Sequence, residues 1–264
     1  MQKQLVLLAF VASFFVGTSV SAQDYIRTFT AEATLSIDGR YDVHERLDYD
    51  VGNEYSHGIY RVIPKAAAIG WRREFMGLKF TDALMEGQPT PWTLPFSVMD
   101  EKIKIGDPDQ VFQQERGFDI AYDVKRVIRT FDDHQELYWN VTGNGWGAAI
   151  GTTTFVLNTP VSALPTSAVC YTGKAGSKER ACTVSVTGHQ VRVEATRAFE
   201  PHEGLTVSVS FPPGSFALLA PTAAERIKDV WFTSLSWLWL ITPLLSLGIS
   251  AALWWRNGRE RRGR

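Results

Sequence analysis

The sequence lacks the short patterns that mark the common enzyme classes. It contains no GxSxG nucleophile elbow, no HExxH zinc helix, no phosphate-binding glycine loop and no EF-hand spacing. Its 5 histidines are scattered, and no two of them stand at the spacing of metal ligands. We therefore expect a non-enzymatic protein with no catalytic residues, no cofactor and no bound metal ion.

Cysteine is also scarce, since only Cys170 and Cys182 are present. In an exported chain, the simplest state of this pair is a disulfide that closes the intervening loop. The competing interpretation is a redox-active or metal-binding pair. That alternative lacks a CxxC spacing and a neighbouring histidine cluster.

Helical periodicity is almost absent before Ala223, and an alternation of apolar and polar residues takes its place. Two alternating segments, 29–37 and 41–49, flank Asp38 and Gly39, which predicts a β-hairpin with a tight turn. Further alternating or short apolar runs predict strands at 78–84, 102–105, 118–124, 152–157, 183–195 and 205–211. Many short strands separated by turn residues favour an all-β fold over residues 23–220, an antiparallel β-sandwich. The alternative is a partly open β-barrel.

Long apolar runs occur only near the two ends of the sequence. The first, from Leu5 to Val16, follows Lys3 and precedes small residues, which is typical of a secretory signal peptide over residues 1–22. The second, from Trp231 to Trp255, contains no charged residue and is long enough to cross the ~30 Å hydrocarbon layer as a helix. The sequence thus predicts a single-pass membrane protein with an exported domain.

The charges predict the orientation of this chain. Segment 256–264 contains five arginines and one acidic residue, and such clusters stay on the cytoplasmic side of a membrane helix. We therefore expect a basic cytoplasmic tail at 256–264, a juxtamembrane helix at 221–230 and the β-domain on the periplasmic or extracellular side of the cytoplasmic (inner) membrane. Residues 23–229 contain 21 Lys and Arg and 27 Asp and Glu. The resulting net charge of −6 argues against a nucleic-acid partner. The expected partners are the membrane and an envelope protein.

Two tryptophans and four aspartates suggest an alternative function in glycan binding or processing. Two aspartate pairs would serve as acid and base or as calcium ligands, although Asp-rich turns of this kind more often bond their own backbone. Trp71 and Trp92 lie in Gly/Pro-bordered sequence and are candidates for stacking on a sugar, whereas Trp139 lies in an alternating run and is expected in the core. The aspartates are Asp107 and Asp109, and Asp132 and Asp133.

Four motifs together resemble one family. They are SHGIYRVIPK (56–65), KIGDPD (104–109), ELYWNVTGNGW (136–146) and the Cys170–Cys182 loop with its internal TGKAGS. Their order and spacing are similar to those of the bacterial membrane-protein family known as domain of unknown function 2207, from about Tyr25 to about Pro213. The resemblance implies an exported β-rich domain tethered to the cytoplasmic membrane, with no established activity. It marks eight landmark residues: Gly58, Arg61, Pro64, Gly106, Asp107, Trp139, Gly143 and Trp146.

Overall fold

The computed structural model describes residues 24–69, 72–97, 100–218, 220–231 and 238–259. The chain up to Phe211 is predominantly β. Its strands are β1 (Tyr25–Leu35), β2 (Tyr41–Asp50), β3 (Ile59–Pro64), β4 (Ala66–Ile69), β5 (Arg72–Phe75), β6 (Gly77–Met85), β7 (Gln88–Pro89), β8 (Trp92–Thr93), β9 (Asp100–Ile105), β10 (Glu115–Lys125), β11 (Ile128–Thr130), β12 (Gln135–Asn140), β13 (Ala149–Asn158), β14 (Ser167–Lys174), β15 (Cys182–Thr187), β16 (Gln190–Ala195) and β17 (Glu203–Phe211).

These strands form sheets that are not closed into a barrel. The largest sheet has eight strands in the order β15-β16-β13-β1-β2-β10-β6-β7, and a second sheet has the order β11-β12-β17-β14. Smaller sheets are formed by β3-β9-β8 and by β4-β5. The strand pairs are mostly antiparallel, as expected, but β1 and β13 pair in parallel, from Tyr25 opposite Ala149 to Thr34 opposite Asn158. A parallel pair needs a long crossover connection, which the residues between β1 and β13 supply.

The predicted hairpin around Asp38 and Gly39 is confirmed, and a second hairpin forms within segment 183–195. β1 and β2 pair antiparallel around a turn in which the Gly39 amide donates to the Ser36 carbonyl, with φ of +76° at Gly39. β15 and β16 pair around Gly188, which also has a positive φ. The alternation of the sequence determines which side chains are buried, because successive strand residues point to opposite faces.

The core lies between the eight-stranded and the four-stranded sheets. Trp139 of β12 packs edge-on against Tyr41 of β2, with ring centroids 5.1 Å apart, and also contacts Tyr122 of β10 at 6.5 Å. All three side chains are almost fully buried. The expectation that Trp139 lies in the core is therefore confirmed.

A helix follows the β-domain and is fastened to it. Helix α1 spans Ala223–Trp231, and Thr222 and Glu225 form a reciprocal cap in which each side chain accepts from the other residue's amide. Asp229 accepts a 2.7 Å hydrogen bond from Arg126 and another 2.7 Å bond from the Phe75 amide. These contacts tie α1 to the loop after β10 and to β5.

A second helix, α2, spans Leu238–Arg259 and includes Pro243. Within the described residues, no helix is both long and apolar enough to cross a membrane. Six residues of the predicted transmembrane segment, 232–237, lie outside the described residues, as do the predicted signal peptide and the end of the basic tail. The transmembrane helix expected at 231–255 is thus not confirmed.

Candidate functional site

The most polar part of the core is an ion pair between Arg61 of β3 and Glu45 of β2. The two side chains are 1% and 0% exposed, and they form two hydrogen bonds of 2.7 and 2.6 Å. Tyr122 donates a third hydrogen bond, of 2.6 Å, to the Glu45 carboxylate. Burial raises the pKa of Tyr122 well above its ordinary value, and Glu45 adds to this effect, so the phenol remains a donor.

The other end of the Arg61 guanidinium is held by the turn after β12. It donates to the carbonyl oxygens of Thr142 at 2.7 Å and Val141 at 2.9 Å. Gly143 is necessary at this point because its φ is +74° and a Cβ there would lie 2.7 Å from Arg61 Nη1. The Trp146 ring packs over the guanidinium, and its centroid lies 5.8 Å from Arg61 Cζ. The indole N–H of Trp146 donates a 2.9 Å hydrogen bond to the Thr142 carbonyl. Three family landmarks, Arg61, Gly143 and Trp146, thus meet in one buried, hydrogen-bonded cluster.

Two further landmarks, Gly58 and Gly106, form a close backbone contact. A Cβ on Gly58 would lie 1.9 Å from the Ile105 carbonyl oxygen, and one on Gly106 would lie 2.0 Å from the His57 carbonyl oxygen. Pro64 is the last residue of β3 and Asp107 begins the turn after β9. These landmarks serve the junction between β3 and β9.

The aspartate pairs occupy turns. Asp107 accepts hydrogen bonds from the Asp109 amide and from Gln110 Nε2, both at 2.9 Å. Asp133 is bonded at 2.6 Å to His134, whose hydrogen bond lowers the pKa of the carboxyl group. Asp132 lies beside it in the turn between β11 and β12. Among the described residues, no group of three or more His, Cys, Asp or Glu is arranged to hold a metal ion.

Of the two candidate tryptophans, Trp92 is among the described residues. Trp92 is 36% exposed, pairs with Ile105 across β8 and β9, and packs edge-on against Phe80 at 4.8 Å. It therefore lies near Asp107, two residues beyond Ile105. Trp71 is outside the described residues.

A groove that the sequence analysis did not foresee lies on the outer face of the four-stranded sheet. We call it the Tyr138–Tyr171 groove. It is lined by these two tyrosines, by Asn144, by the loop 173–178 and by Arg180, and it has a volume of about 460 Å³. Asn144 fixes one wall by donating a 3.1 Å hydrogen bond to the Gly173 carbonyl.

The groove is basic although the β-domain is acidic overall. Lys174, Lys178 and Arg180 are exposed, and no carboxylate within the described residues forms an ion pair with any of them. The only carboxylate of the loop, Glu179, accepts hydrogen bonds from Nε and Nη2 of Arg197. This hydrogen bonding lowers the pKa of Glu179 and directs its carboxylate to Arg197, which also pairs with Glu203. Three cations thus remain uncompensated along one side of the groove.

The predicted disulfide between Cys170 and Cys182 is confirmed. It joins β14 to β15 and therefore links the four-stranded sheet to the eight-stranded sheet. Next to it, the Thr172 amide donates to the Glu179 carbonyl at 2.8 Å. The disulfide and this hydrogen bond thus both close the base of the loop that lines the groove.

We expect the double substitution C170S/C182S to lower the free energy of unfolding by about 3 kcal/mol, because the opened loop regains conformational freedom in the unfolded state. Urea denaturation followed by tryptophan fluorescence would measure this loss. Reducing the disulfide of the unaltered protein should give the same midpoint as the double variant. Equal stability of the oxidised protein and the double variant would contradict the prediction.

A local charge count is the signal that would have found the groove in the sequence. Segment 172–180, TGKAGSKER, contains three basic residues in a domain with net charge −6. The proximity of this segment to Tyr138 could not be predicted, because Tyr138 lies 33 residues earlier than Tyr171 in the chain. The contact exists only because β12 and β14 both flank β17.

These features define a predominantly β domain with a buried arginine–glutamate centre and a rigid, disulfide-closed groove. The family model described as "Predicted membrane protein (DUF2207) N-terminal domain" matches residues 25–211, and the chain belongs to this family. The resemblance carried by the four sequence motifs is therefore confirmed.

One curated relative is the uncharacterized protein YciQ of Escherichia coli (strain K12). It is 28% identical over 241 residues, which cover 86% of this chain and 36% of YciQ. The chain thus spans about a third of the length of this relative.

Solved structures with some similarity include a hydrolase and a zinc metallopeptidase. Native leukotriene A4 hydrolase from Saccharomyces cerevisiae is 7% identical with a TM-score of 0.45, covering 71% of this chain and 29% of that chain. The M1 zinc metallopeptidase from Deinococcus radiodurans is 11% identical with a TM-score of 0.42, covering 70% of this chain and 42% of that chain. At these values, neither the fold nor the chemistry of this chain follows from the similarity.

Proposed function

We propose that this protein is a non-enzymatic interaction module, a β-sandwich held on the extracytoplasmic face of the cytoplasmic membrane by the apolar run 231–255. The observation that carries the proposal is the exposed apolar surface of α2. Seven large apolar side chains of this helix are between 49% and 73% exposed: Leu244, Leu245, Leu247, Ile249, Leu253, Trp254 and Trp255. An apolar surface of this extent requires an apolar environment, and a lipid bilayer supplies one.

The attachment of α1 supports a position of the β-domain close to the bilayer. The Arg126–Asp229 ion pair is only 15% and 20% exposed, so it is better shielded from water than a surface pair. Asp229 also binds the Phe75 amide. The helix that leads toward the apolar run is thus held against the β-domain rather than joined by a free linker.

The internal pairing of the acidic and basic side chains supports a binding role rather than catalysis. Glu45, Arg61 and Tyr122 are paired with one another in the core. The Asp107 carboxylate is bonded within its own turn, and Asp133 is bonded to the adjacent His134. A general acid or base has to reach the substrate, which these placements do not favour.

Membrane attachment can be tested with the double variant L245E/I249E. We expect the full chain to remain in the membrane pellet after a carbonate wash, and the variant to move to the soluble fraction, because each central charge costs about 2.5–3.5 kcal/mol on insertion scales. The matched control is I37E/V161E, which alters residues that are 48% and 84% exposed on the β-domain. Recovery of the unaltered chain in the soluble fraction, or equal release of the control, would refute the attachment.

Orientation is a separate part of the proposal. Alkaline phosphatase is active only outside the cytoplasm, so a fusion after Ala220 should be active and a fusion after Arg264 inactive. The reverse pattern would contradict the orientation.

The interaction role itself predicts that crosslinking in intact cells joins the chain to an envelope protein, and absence of any crosslinked partner would count against it.

A further inference from the structure

The Tyr138–Tyr171 groove has the chemistry of an anion site. Its loop contributes Lys174 and Lys178, and Arg180 lies 5.5 Å from the centroid of the Tyr171 ring. Stacking on an aromatic ring restricts the guanidinium before any ligand arrives. Since no described carboxylate pairs with these three cations, an incoming anion displaces no internal ion pair.

The main chain of the loop adds hydrogen-bond donors. Ala175, Gly176 and Lys178 lie outside any strand, and within the described residues none of their amides has an acceptor. Successive exposed amides in a turn with a left-handed residue bind anions. Gly176 supplies that conformation here, with φ of +84°.

The loop is rigid enough to hold these donors in place. The disulfide, the Thr172–Glu179 backbone bond and the Ala181 amide bond to Thr172 Oγ1 at 3.0 Å close its base. The Asn144 side chain binds the Gly173 carbonyl from the opposite wall. A site that is ordered before binding loses less conformational entropy when the ligand arrives.

We propose that the Tyr138–Tyr171 groove binds a phosphate group carried by a small ligand such as a sugar phosphate. A phosphate offers three or four oxygens, which matches three cations and several amides better than the two oxygens of a carboxylate. The groove volume of about 460 Å³ exceeds that of a lone phosphate and falls within the range of small-molecule pockets. Thr206 provides a hydroxyl group for the part of the ligand beyond the phosphate.

The test is calorimetric titration of the full chain in detergent with glucose 1-phosphate, inorganic phosphate and glucose. We expect the sugar phosphate to bind, and K174Q/K178Q to raise its Kd at least about tenfold, the loss expected when charge-assisted hydrogen bonds are removed. The matched control is K102Q/K104Q, which removes two exposed lysines of β9 that do not line the groove. Thermal melts of both variants establish that they are folded.

The arms of the titration distinguish the sources of the phosphate. Binding of glucose 1-phosphate that is tighter than that of inorganic phosphate supports a phosphorylated ligand, and equal binding of the two overturns the part of the proposal that concerns the rest of the ligand. No binding of either phosphate at about 10 mM, equal binding of glucose, or an unchanged Kd in K174Q/K178Q overturns the site as a whole. None of these outcomes affects the membrane attachment, which is measured by the carbonate wash.

Discussion

Replacing Arg61 with methionine is expected to lower the free energy of unfolding by about 3–5 kcal/mol, the cost of leaving one partner of a buried ion pair uncompensated. The Glu45 carboxylate would lose two hydrogen bonds and its bonded cation, while it remains buried. The carbonyls of Val141 and Thr142 would each lose a donor. Urea denaturation of the full chain in detergent, followed by tryptophan fluorescence, would measure the effect.

The matched control is Arg46→Met on the same strand as Glu45. Arg46 is 66% exposed and lies 3.6 Å from Asp119, so its loss should cost less than about 1 kcal/mol. The pair of variants separates burial from charge, because both remove one arginine from one ion pair. Similar losses in the two variants would show that the buried pair has no special role in stability.

Replacing Gly58 with alanine is expected to cost about 3 kcal/mol or more, because the new methyl group meets backbone rather than a movable side chain. The Cβ would lie 1.9 Å from the Ile105 carbonyl oxygen and 2.8 Å from the Gly106 Cα. Relief requires separation of β3 from β9, and Arg61 lies in β3, three residues after Gly58. Thermal melting of the variant would show the loss as a lower Tm.

Gly147→Ala serves as the control for this substitution. A Cβ at Gly147 has no atom within 4 Å, so the variant should differ from the unaltered protein by less than about 0.5 kcal/mol. A Gly58→Ala variant that melts at the same temperature as Gly147→Ala would show that the backbone contact does not constrain the fold. Gly106→Ala should behave like Gly58→Ala, since its Cβ would approach the His57 carbonyl oxygen to 2.0 Å.

Local alternation predicted those parts of the fold that depend on neighbours in the chain. The β1–β2 hairpin could be predicted because its alternating residues and its Gly39 turn are contiguous. The parallel pairing of β1 with β13 could not, because the choice between distant strands depends on how the two sheets share one core. The landmarks were marked by resemblance alone, and only the structure shows that Gly143 makes room for the Arg61 guanidinium.

The candidate site could likewise be predicted from the sequence only in part. The Cys170–Cys182 disulfide followed from the small number of cysteines and an expected oxidising compartment. Tyr138 was not assigned to a site, because a tyrosine in an alternating run is equally compatible with core and surface.

The sequence by itself determined the strand-rich character of this protein, its cysteine pair and the family to which it belongs, because these depend on local pattern, composition and motif order. Tertiary structure alone decided that a charged arginine lies in the core and that three cations line one groove. Both arrangements depend on contacts between residues far apart in the chain, whose energies come from burial and pairing in three dimensions rather than from local propensity.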